Sequence, residues 1–480
     1  MADISLIRDG KPLGFRQQLS LTAKLALPAI LAQLSTILMQ YIDASMVGRL
    51  GADQSASVGL MNSSLWLFWG VCSNITMGFS VQVAHRLGAK EHKEARDVLR
   101  QGITTCLIIG SIITATGMAI AFPLPEWLGA TPEIRHGASV YFLIFVAALP
   151  ALILNYLAGG MLRCAGNMKI PALFNVGMCV LDVVFNFFLI FPTRELAIGA
   201  MSFVLPGAGL GIAGAAFGTV AAECVCAGAM LYWLCCRQAD LKLAGAGKGS
   251  FRPTRPVLRR AARIAVPMTL EHVVFCGAQI MITVIVAPLG VVAIAANAFA
   301  VTAESLCYMP GFGIGEAATT LCGQSYGAKR HDLVRRFAYL TVGLGVFVMT
   351  VMGLLMYAGA PLMMGIMTSV DAIRDLGAEV LRIEAWAEPM YAASIVAYGA
   401  FVGIGDTMIP AVMNFGSIWL VRIPLAAILA PTMGLRGVWI AMCAELVFRG
   451  LIFLWRMAGG YWLRAAGSAK ANMQEVQLEP

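Results

Sequence analysis

Twelve stretches of this chain are apolar over the ~20 residues that a helix needs to cross a bilayer, and no other feature constrains the fold as tightly. They fall at roughly 25–48, 55–84, 101–123, 138–160, 170–192 and 210–235, then near 264–288, 293–322, 337–368, 377–403, 409–431 and 434–458. Inside hydrocarbon every backbone N–H and C=O must be bonded within the protein, so segments of this length and polarity are helices. A soluble fold would have to hide 59% hydrophobic residues behind 12% charged ones, about half the usual charged share. The expected fold is therefore an all-α polytopic membrane protein with 12 transmembrane helices.

Charge placement orients the spans. With residues at span ends counted in the adjoining loop, one set of segments holds 26 of the 34 basic residues and the opposite set holds six. Arg422 and Arg449 lie within spans. This positive-inside bias puts both termini in the cytoplasm, with a polar segment 1–24 at the start and a tail 461–480 at the end. No cleavable signal peptide is expected, because the chain is polar to about Lys24 and the first apolar run is too long for one. The net charge of +8 is spread over short loops, with no basic face for nucleic acid. The 12 cysteines sit mostly in apolar runs and read as small buried hydrophobes, and five histidines make a histidine-based metal enzyme a poor fit. The 27 methionines read first as packing for membrane helices, and second as the lining of an adaptable pocket.

The chain repeats itself. Shifted by 239 residues, Pro28 meets Pro267, Leu50-Gly51 meets Leu289-Gly290, and Gly88-Ala89-Lys90 meets Gly327-Ala328-Lys329. Gly166, Ile170-Pro171-Ala172 and Asn175 meet Gly405, Ile409-Pro410-Ala411 and Asn414. The register then breaks at an extra loop, Thr193–Gly209. A six-helix unit enters the membrane twice from the same side, so two pseudo-symmetric six-helix lobes are expected about an axis along the membrane normal. Their bounds are 25–236 and 264–460, joined by a basic linker at 237–263. Two such lobes with a cleft between them fit alternating access of a solute better than a pore or a scaffold.

Acids within hydrocarbon are costly and so are functional candidates. Gln33, Thr36, Gln40 and Asp43 step by three, four and three along the first span, which places one polar stripe on it, with Asp43 about 28 Å from Lys24 and in the outer half of the membrane. The ordinary alternative is an interfacial aspartate. On the fifth span Asn175, Cys179, Asp182 and Asn186 form a second stripe, with Asp182 about 17 Å past Pro171. Asp and Asn one turn apart supply hard oxygens and a single charge, suited to a proton or a sodium ion. The alternative is an interhelical hydrogen bond. The second half is richer in acids. Glu384 and Glu388 lie one turn apart on the tenth span, with Tyr391 below and Pro389 breaking the ladder. Glu271 follows Pro267 beside His272, Cys276, Gln279 and Thr283. Glu304 and Glu316 flank Pro310-Gly311, an expected kink. Arg422 needs a carboxylate from among these acids, while Glu445 and Arg449, spaced i,i+4, are expected to neutralise each other.

The stretch Tyr41-Ile-Asp43-Ala-Ser-Met-Val-Gly48-Arg-Leu-Gly51 resembles the first-helix signature of the multidrug and toxic compound extrusion (MATE) family. Pro310-Gly-Phe-Gly-Ile-Gly-Glu-Ala-Ala-Thr-Thr-Leu-Cys-Gly-Gln324 resembles its eighth helix. Ala387 to Tyr391 and Gly405-Asp406-Thr407 are similar to its tenth-helix region, and Gly214-Ala-Ala-Phe-Gly-Thr219 to its sixth. The resemblance covers nearly the whole chain. It implies a cation-coupled antiporter that exports organic cations, drugs or metabolites against inward H⁺ or Na⁺, with no cofactor, no catalysis, no nucleic-acid partner and a functional monomer in a bacterial-type plasma (inner) membrane. The family's first-helix aspartate matches Asp43 and its fifth-helix polar pair matches Asp182 and Asn186, here in reversed order. That site would hold the proton, or Na⁺ at Asp43, Asp182 and Asn186, with Thr219 on the substrate path. Tyr391 stands where the sodium-dependent branch carries its tenth-helix aspartate, which favours H⁺, or mixed H⁺/Na⁺ use, at the first-lobe site. Two other readings remain: a flippase of lipid-linked precursors on the same architecture, which would need a cationic cavity for a diphosphate, and a membrane-embedded enzyme, which would need a metal cluster or acidic motif at a membrane face.

Overall fold

The computed structural model describes residues 4–10, 12–198, 201–245 and 249–463. The expected tail at 461–480 lies outside them beyond residue 463, as do residues 1–3 and 11 of the N-terminal segment and 246–248 of the linker.

A short helix α1 (Ser5–Arg8) leads into α2 (Phe15–Gly48), α3 (Ala52–Gly88) and α4 (His92–Ile120). A short turn α5 (Pro123–Trp127) precedes α6 (Pro132–Ala147), α7 (Leu149–Cys164) and α8 (Lys169–Ile190). After a hairpin comes α9 (Gly211–Tyr232), which ends in a π-helical turn, Trp233–Arg237. The second half runs α10 (Arg255–Val286), α11 (Val291–Gly327), α12 (His331–Met367), α13 (Asp371–Glu384) and α14 (Glu388–Ile404). It closes with α15 (Met408–Gly416), a π-helical stretch Ser417–Arg422, α16 (Ile423–Met433) and α17 (Leu435–Gly459). Among the described residues ten helices are long and apolar enough to cross a membrane, and two bent pairs bring the number to twelve if each pair is one span. This is an all-α polytopic membrane protein.

The two bends have one cause. Pro150 and Pro389 are repeat mates, and each occupies the first turn of the second helix of its pair. A proline there lacks the N–H that would continue the ladder and crowds the preceding turn. The paired helices meet at 48° (α6 and α7) and 60° (α13 and α14). Pro310, by contrast, lies inside α11, which runs through it as one helix. The extra loop after the fifth span is an antiparallel hairpin, Pro192–Ile198 paired with Met201–Ala208.

The repeat is carried into three dimensions with its register intact. Both ends of α3 and α11 differ by 239 residues, as do the starts of α4 and α12 and of α8 and α15. Lys90 and Lys329, also mates, are the described non-glycine residues at positive φ, 63° and 58°. Each closes the last turn of a long helix in the left-handed conformation, a cost of roughly 1–2 kcal/mol accepted where a helix must stop and reverse. The clearest sign of a twofold axis is reciprocal: a Cβ on Gly88 would lie 2.1 Å from the Gln324 carbonyl oxygen, and one on Gly327 would lie 2.1 Å from the His85 oxygen. Only glycine permits α3 and α11 to cross so closely.

That crossing lies at the end of the bundle where the basic loops gather, and most of the seam between the halves lies between there and mid-bundle. Asn74 Nδ2 donates to Met268 O (3.1 Å), Gln82 Nε2 to Val257 O (3.2 Å) and Gln324 Nε2 to Cys164 O (2.7 Å), and His85 Nε2 lies 2.8 Å from Gly403 O. The segment before α2 straddles the seam. Arg8 donates to Gln324 Oε1 (3.0 Å), pairs with Asp240 (2.7 Å) and reaches Ala165 O, and Ile7 is fully buried beneath it. Away from the basic face Tyr41 Oη donates to Thr302 O (3.0 Å) across the seam, and His272 Nε2 lies 3.2 Å from Trp66 O.

Candidate functional site: two carboxylates joined by an amide

Asp43 lies five residues before the end of α2, on the face that packs against α8. Asp182 and Asn186, one turn apart on α8, face it and are fully buried. The Asn186 side-chain amide donates to Asp43 Oδ1 (2.9 Å) and to Asp182 Oδ2 (3.2 Å), spending both of its hydrogens on the two carboxylates. Asp182 Oδ1 and Asn186 Oδ1 are buried without a hydrogen-bond partner, a state that costs about 1–3 kcal/mol per group. The structure thus brings together three of the four residues expected to handle a cation. Asn175, two turns before Asp182 on α8, stands apart from them.

Gly218 makes this possible from the other side. A Cβ at that position on α9 would fall 2.1 Å from Asn186 Oδ1 and 3.0 Å from the Asn186 backbone nitrogen. The absence of a side chain therefore lets α9 close over the amide. Thr219, next along α9, stands beside Asp182 and donates its own hydroxyl to Ala215 O at 3.2 Å. One turn further on is Glu223, a further carboxyl group close to Asp182. Sequence reasoning missed this third acid. The signal was there: a carboxylate in an apolar run, four residues after Thr219 on the same helix face.

The polar stripe on α2 does not serve a single site. Steps of three, four and three turn the helix back by roughly 80° over ten residues, at 3.6 residues per turn. Gln33 accordingly points to the other half, where its Nε2 donates to Glu316 Oε1 on α11 (3.4 Å). Thr36 bonds to Ala32 O of its own helix, and Gln40 is exposed. On α8, Cys179 donates to Ser35 O, tying α8 to α2 below the cluster.

In the second half Glu271 on α10 accepts from Tyr398 Oη (2.6 Å) and Asn414 Nδ2 (2.5 Å), Asn414 being the repeat mate of Asn175. Gln279, two turns on, is exposed. Glu384 and Glu388 are fully buried with all four carboxyl oxygens lacking a hydrogen-bond partner, and Glu304 lies close to both. Tyr391 packs edge-on to Tyr308, with the Arg449 guanidinium over its ring at 5.7 Å. The expected partner of Arg422 is corrected: its carboxylate is Glu445, not one of the acids at 271, 304, 316, 384 or 388. Glu445 takes Arg422 Nη2 at 2.6 Å and Arg449 Nε at 2.8 Å, together with the Ser417 hydroxyl. It therefore bridges two arginines rather than neutralising Arg449 alone. The π-helical turn Ser417–Arg422 adds a residue to the helix turn and brings Arg422 to Glu445 on α17, a rotation that regular α-helical spacing does not foretell. Among the described residues no group of three or more His, Cys, Asp or Glu is placed to hold a metal ion.

A twice-repeated bundle of membrane-spanning helices, with a buried acid pair in its first half and a polar seam between its halves, defines a polytopic membrane transporter. The MatE family model matches residues 28–188 and again 267–428, two stretches that begin 239 residues apart, and the chain belongs to this family. It is 27% identical over 459 residues to a probable multidrug resistance protein NorM of Thermotoga maritima, covering 94% of this chain and 95% of that protein. It is 24% identical to an uncharacterized transporter, YisQ, of Bacillus subtilis, over 88% of this chain and 90% of that one. Among solved structures, the outward-facing conformation of a multidrug resistance MATE family transporter superposes with a TM-score of 0.86 at 21% identity, covering 96% of this chain and 98% of the other. A MOP superfamily transporter from Pyrococcus furiosus superposes at 0.84, also at 21% identity, over 95% and 98%. These likenesses show the fold.

Proposed function

We propose that this protein is a cation-coupled antiporter that exports organic cations, drugs or related metabolites, with H⁺ as the coupling ion at Asp43 and Asp182 and Na⁺ as the alternative at the same oxygens. The observation that carries the reading is Asn186 shared between two carboxylates while Asp182 Oδ1 and its own Oδ1 are left buried and unpartnered. Two buried negative charges held on one amide repel each other, and a proton or a monovalent cation completes the group. Binding then favours one arrangement of the halves over another only because the cluster differs between them.

On this reading residues 25–236 and 264–460 rock as two lobes about the linker 237–263. Both termini and the basic loops face the cytoplasm of a bacterial-type plasma membrane, and the protein works as a monomer. The seam, bonded from mid-bundle to the basic face, corresponds to a state closed to the cytoplasm. A cation entering from outside neutralises the cluster and favours release of cationic substrate and return inward. The flippase reading needs an unpaired cationic cavity, and the arginines within the spans are both held by Glu445. The test is efflux of a fluorescent organic cation from intact cells, followed by transport into inverted vesicles under a pH gradient or a sodium gradient imposed separately. Asp43→Asn and Asp182→Asn should abolish gradient-driven efflux at normal expression. Full transport by both removes them from the mechanism.

A further inference from the structure

Glu316 takes no part in the cluster above, and its surroundings are unusual. Between Gly313 and Tyr326, α11 is buried at every position except this one. Its carboxylate lies on the seam, and its side chain is 22% exposed. Both of its side-chain partners come from the other half of the molecule: Arg163 Nε on α7 at 3.5 Å and Gln33 Nε2 on α2 at 3.4 Å. Both contacts are long for charge-assisted bonds, which settle near 2.7–2.9 Å. Arg163, 20% exposed, is the last helical residue but one of α7, and its backbone oxygen accepts from Thr320 of α11 (3.1 Å). The repeat mate of Glu316 is Met77, so the pair has no counterpart across the twofold axis and crosses it once.

For the basic face to open, α11 must part from α2 and α7. That single movement removes Arg163 and Gln33 from Glu316 together. What remains is a carboxylate without its partners on one wall of the opened passage and the guanidinium of Arg163, in the last turn of α7, on the other. A carboxylate held in the wall of a passage through the membrane favours a cation beside it. An organic cation entering through an opening on that face can take the place that Arg163 and Gln33 leave.

We infer that Glu316 anchors the cationic substrate when the basic face is open, and that Arg163 is a tethered competitor which retakes Glu316 as the seam closes and so drives the substrate off. The inference rests on the export reading above and adds a substrate contact to it. It asks for a permanent or protonated organic cation whose charge can approach a carboxylate, and it gives the two members of one ion pair opposite effects. Removing Glu316 weakens the hold on the cation. Removing Arg163 leaves the hold intact and slows release.

The experiment is uptake of tetraphenylphosphonium into proteoliposomes holding the full-length protein, with KM and kcat measured for wild type, Glu316→Gln, Arg163→Gln and Asp43→Asn. Glu316→Gln should raise KM at least tenfold. Arg163→Gln should leave KM unchanged or lower and reduce kcat at least threefold. A purely structural ion pair predicts equal losses in the two variants, so a wild-type KM in Glu316→Gln, or KM shifts of the same sign in both, overturns the inference. If Glu316→Gln does not fold, the exchanged pair Glu316→Arg with Arg163→Glu decides the question. It restores a structural bridge but not the anchor, so its KM should stay raised, and a wild-type KM overturns the inference. Loss of gradient-driven uptake in Asp43→Asn, with tetraphenylphosphonium still bound, bears on coupling alone and leaves the anchor standing. Failure of the wild type to move the ion under either gradient sinks the export reading, and the anchor with it.

Discussion

Gly218→Ala perturbs the cluster without touching a charge. In the middle of a helix, alanine is favoured over glycine by roughly 0.5–1 kcal/mol, so with free space around it the substitution would stabilise α9. The space is not free: the new methyl would sit 2.1 Å from Asn186 Oδ1, 3.0 Å from its Cγ and 3.0 Å from its backbone nitrogen. The side chain must move by more than an ångström, and the backbone contact forces α8 and α9 slightly apart. The Asn186 amide then cannot keep both bonds at 2.9 and 3.2 Å. Hydrogen bonds to charged groups contribute about 1.5–3 kcal/mol each, so losing one corresponds to roughly 10–150-fold. On the proposed reading the carboxylates lose the donor that stabilises them without a cation, so the site would give up its cation less readily. Gradient-driven transport in proteoliposomes should fall about tenfold or more. The control is Gly228→Ala on the same helix, where a Cβ meets nothing within 4 Å, and it should transport normally. Wild-type rates in Gly218→Ala, under a gradient that drives the wild type, refute the role of the shared amide.

Other outcomes follow from the same geometry. Glu445→Gln leaves two buried guanidiniums facing a neutral amide, and stability should fall by about 3–5 kcal/mol, read as loss of monodisperse protein on heating in detergent. Glu223→Gln should leave thermal stability intact but alter the ion dependence of transport, because it replaces a carboxyl group close to Asp182 by an amide of the same shape; identical ion dependence would exclude Glu223 from the site. Arg8→Ala removes contacts that tie the N-terminal segment to Gln324, Asp240 and Ala165. The seam at the basic face should then open more often, measured as severalfold faster labelling of buried Cys164 by an impermeant thiol reagent in inverted vesicles.

Hydropathy alone determined that the chain crosses a membrane some twelve times as helices, because hydrocarbon leaves the backbone no other way to satisfy its polar groups. The 239-residue register determined the duplication, down to mated left-handed lysines at 90 and 329. Sequence also singled out Asp43, Asp182 and Asn186, since an acid in an apolar run is conspicuous wherever it packs. Which side chain meets which across helices was decided only by the tertiary structure. Helical spacing says what shares a face of one helix, but not which neighbour that face meets. So the α2 stripe divides, with Gln33 turning to Glu316 and Asp43 to Asn186. Arg422 finds Glu445 through a π-helical turn that no periodicity announces. Glu223 gains meaning only because Gly218 lets α9 lie against Asn186. These are contacts between helices far apart in the chain, set by packing and by the direction in which each helix leaves its bend.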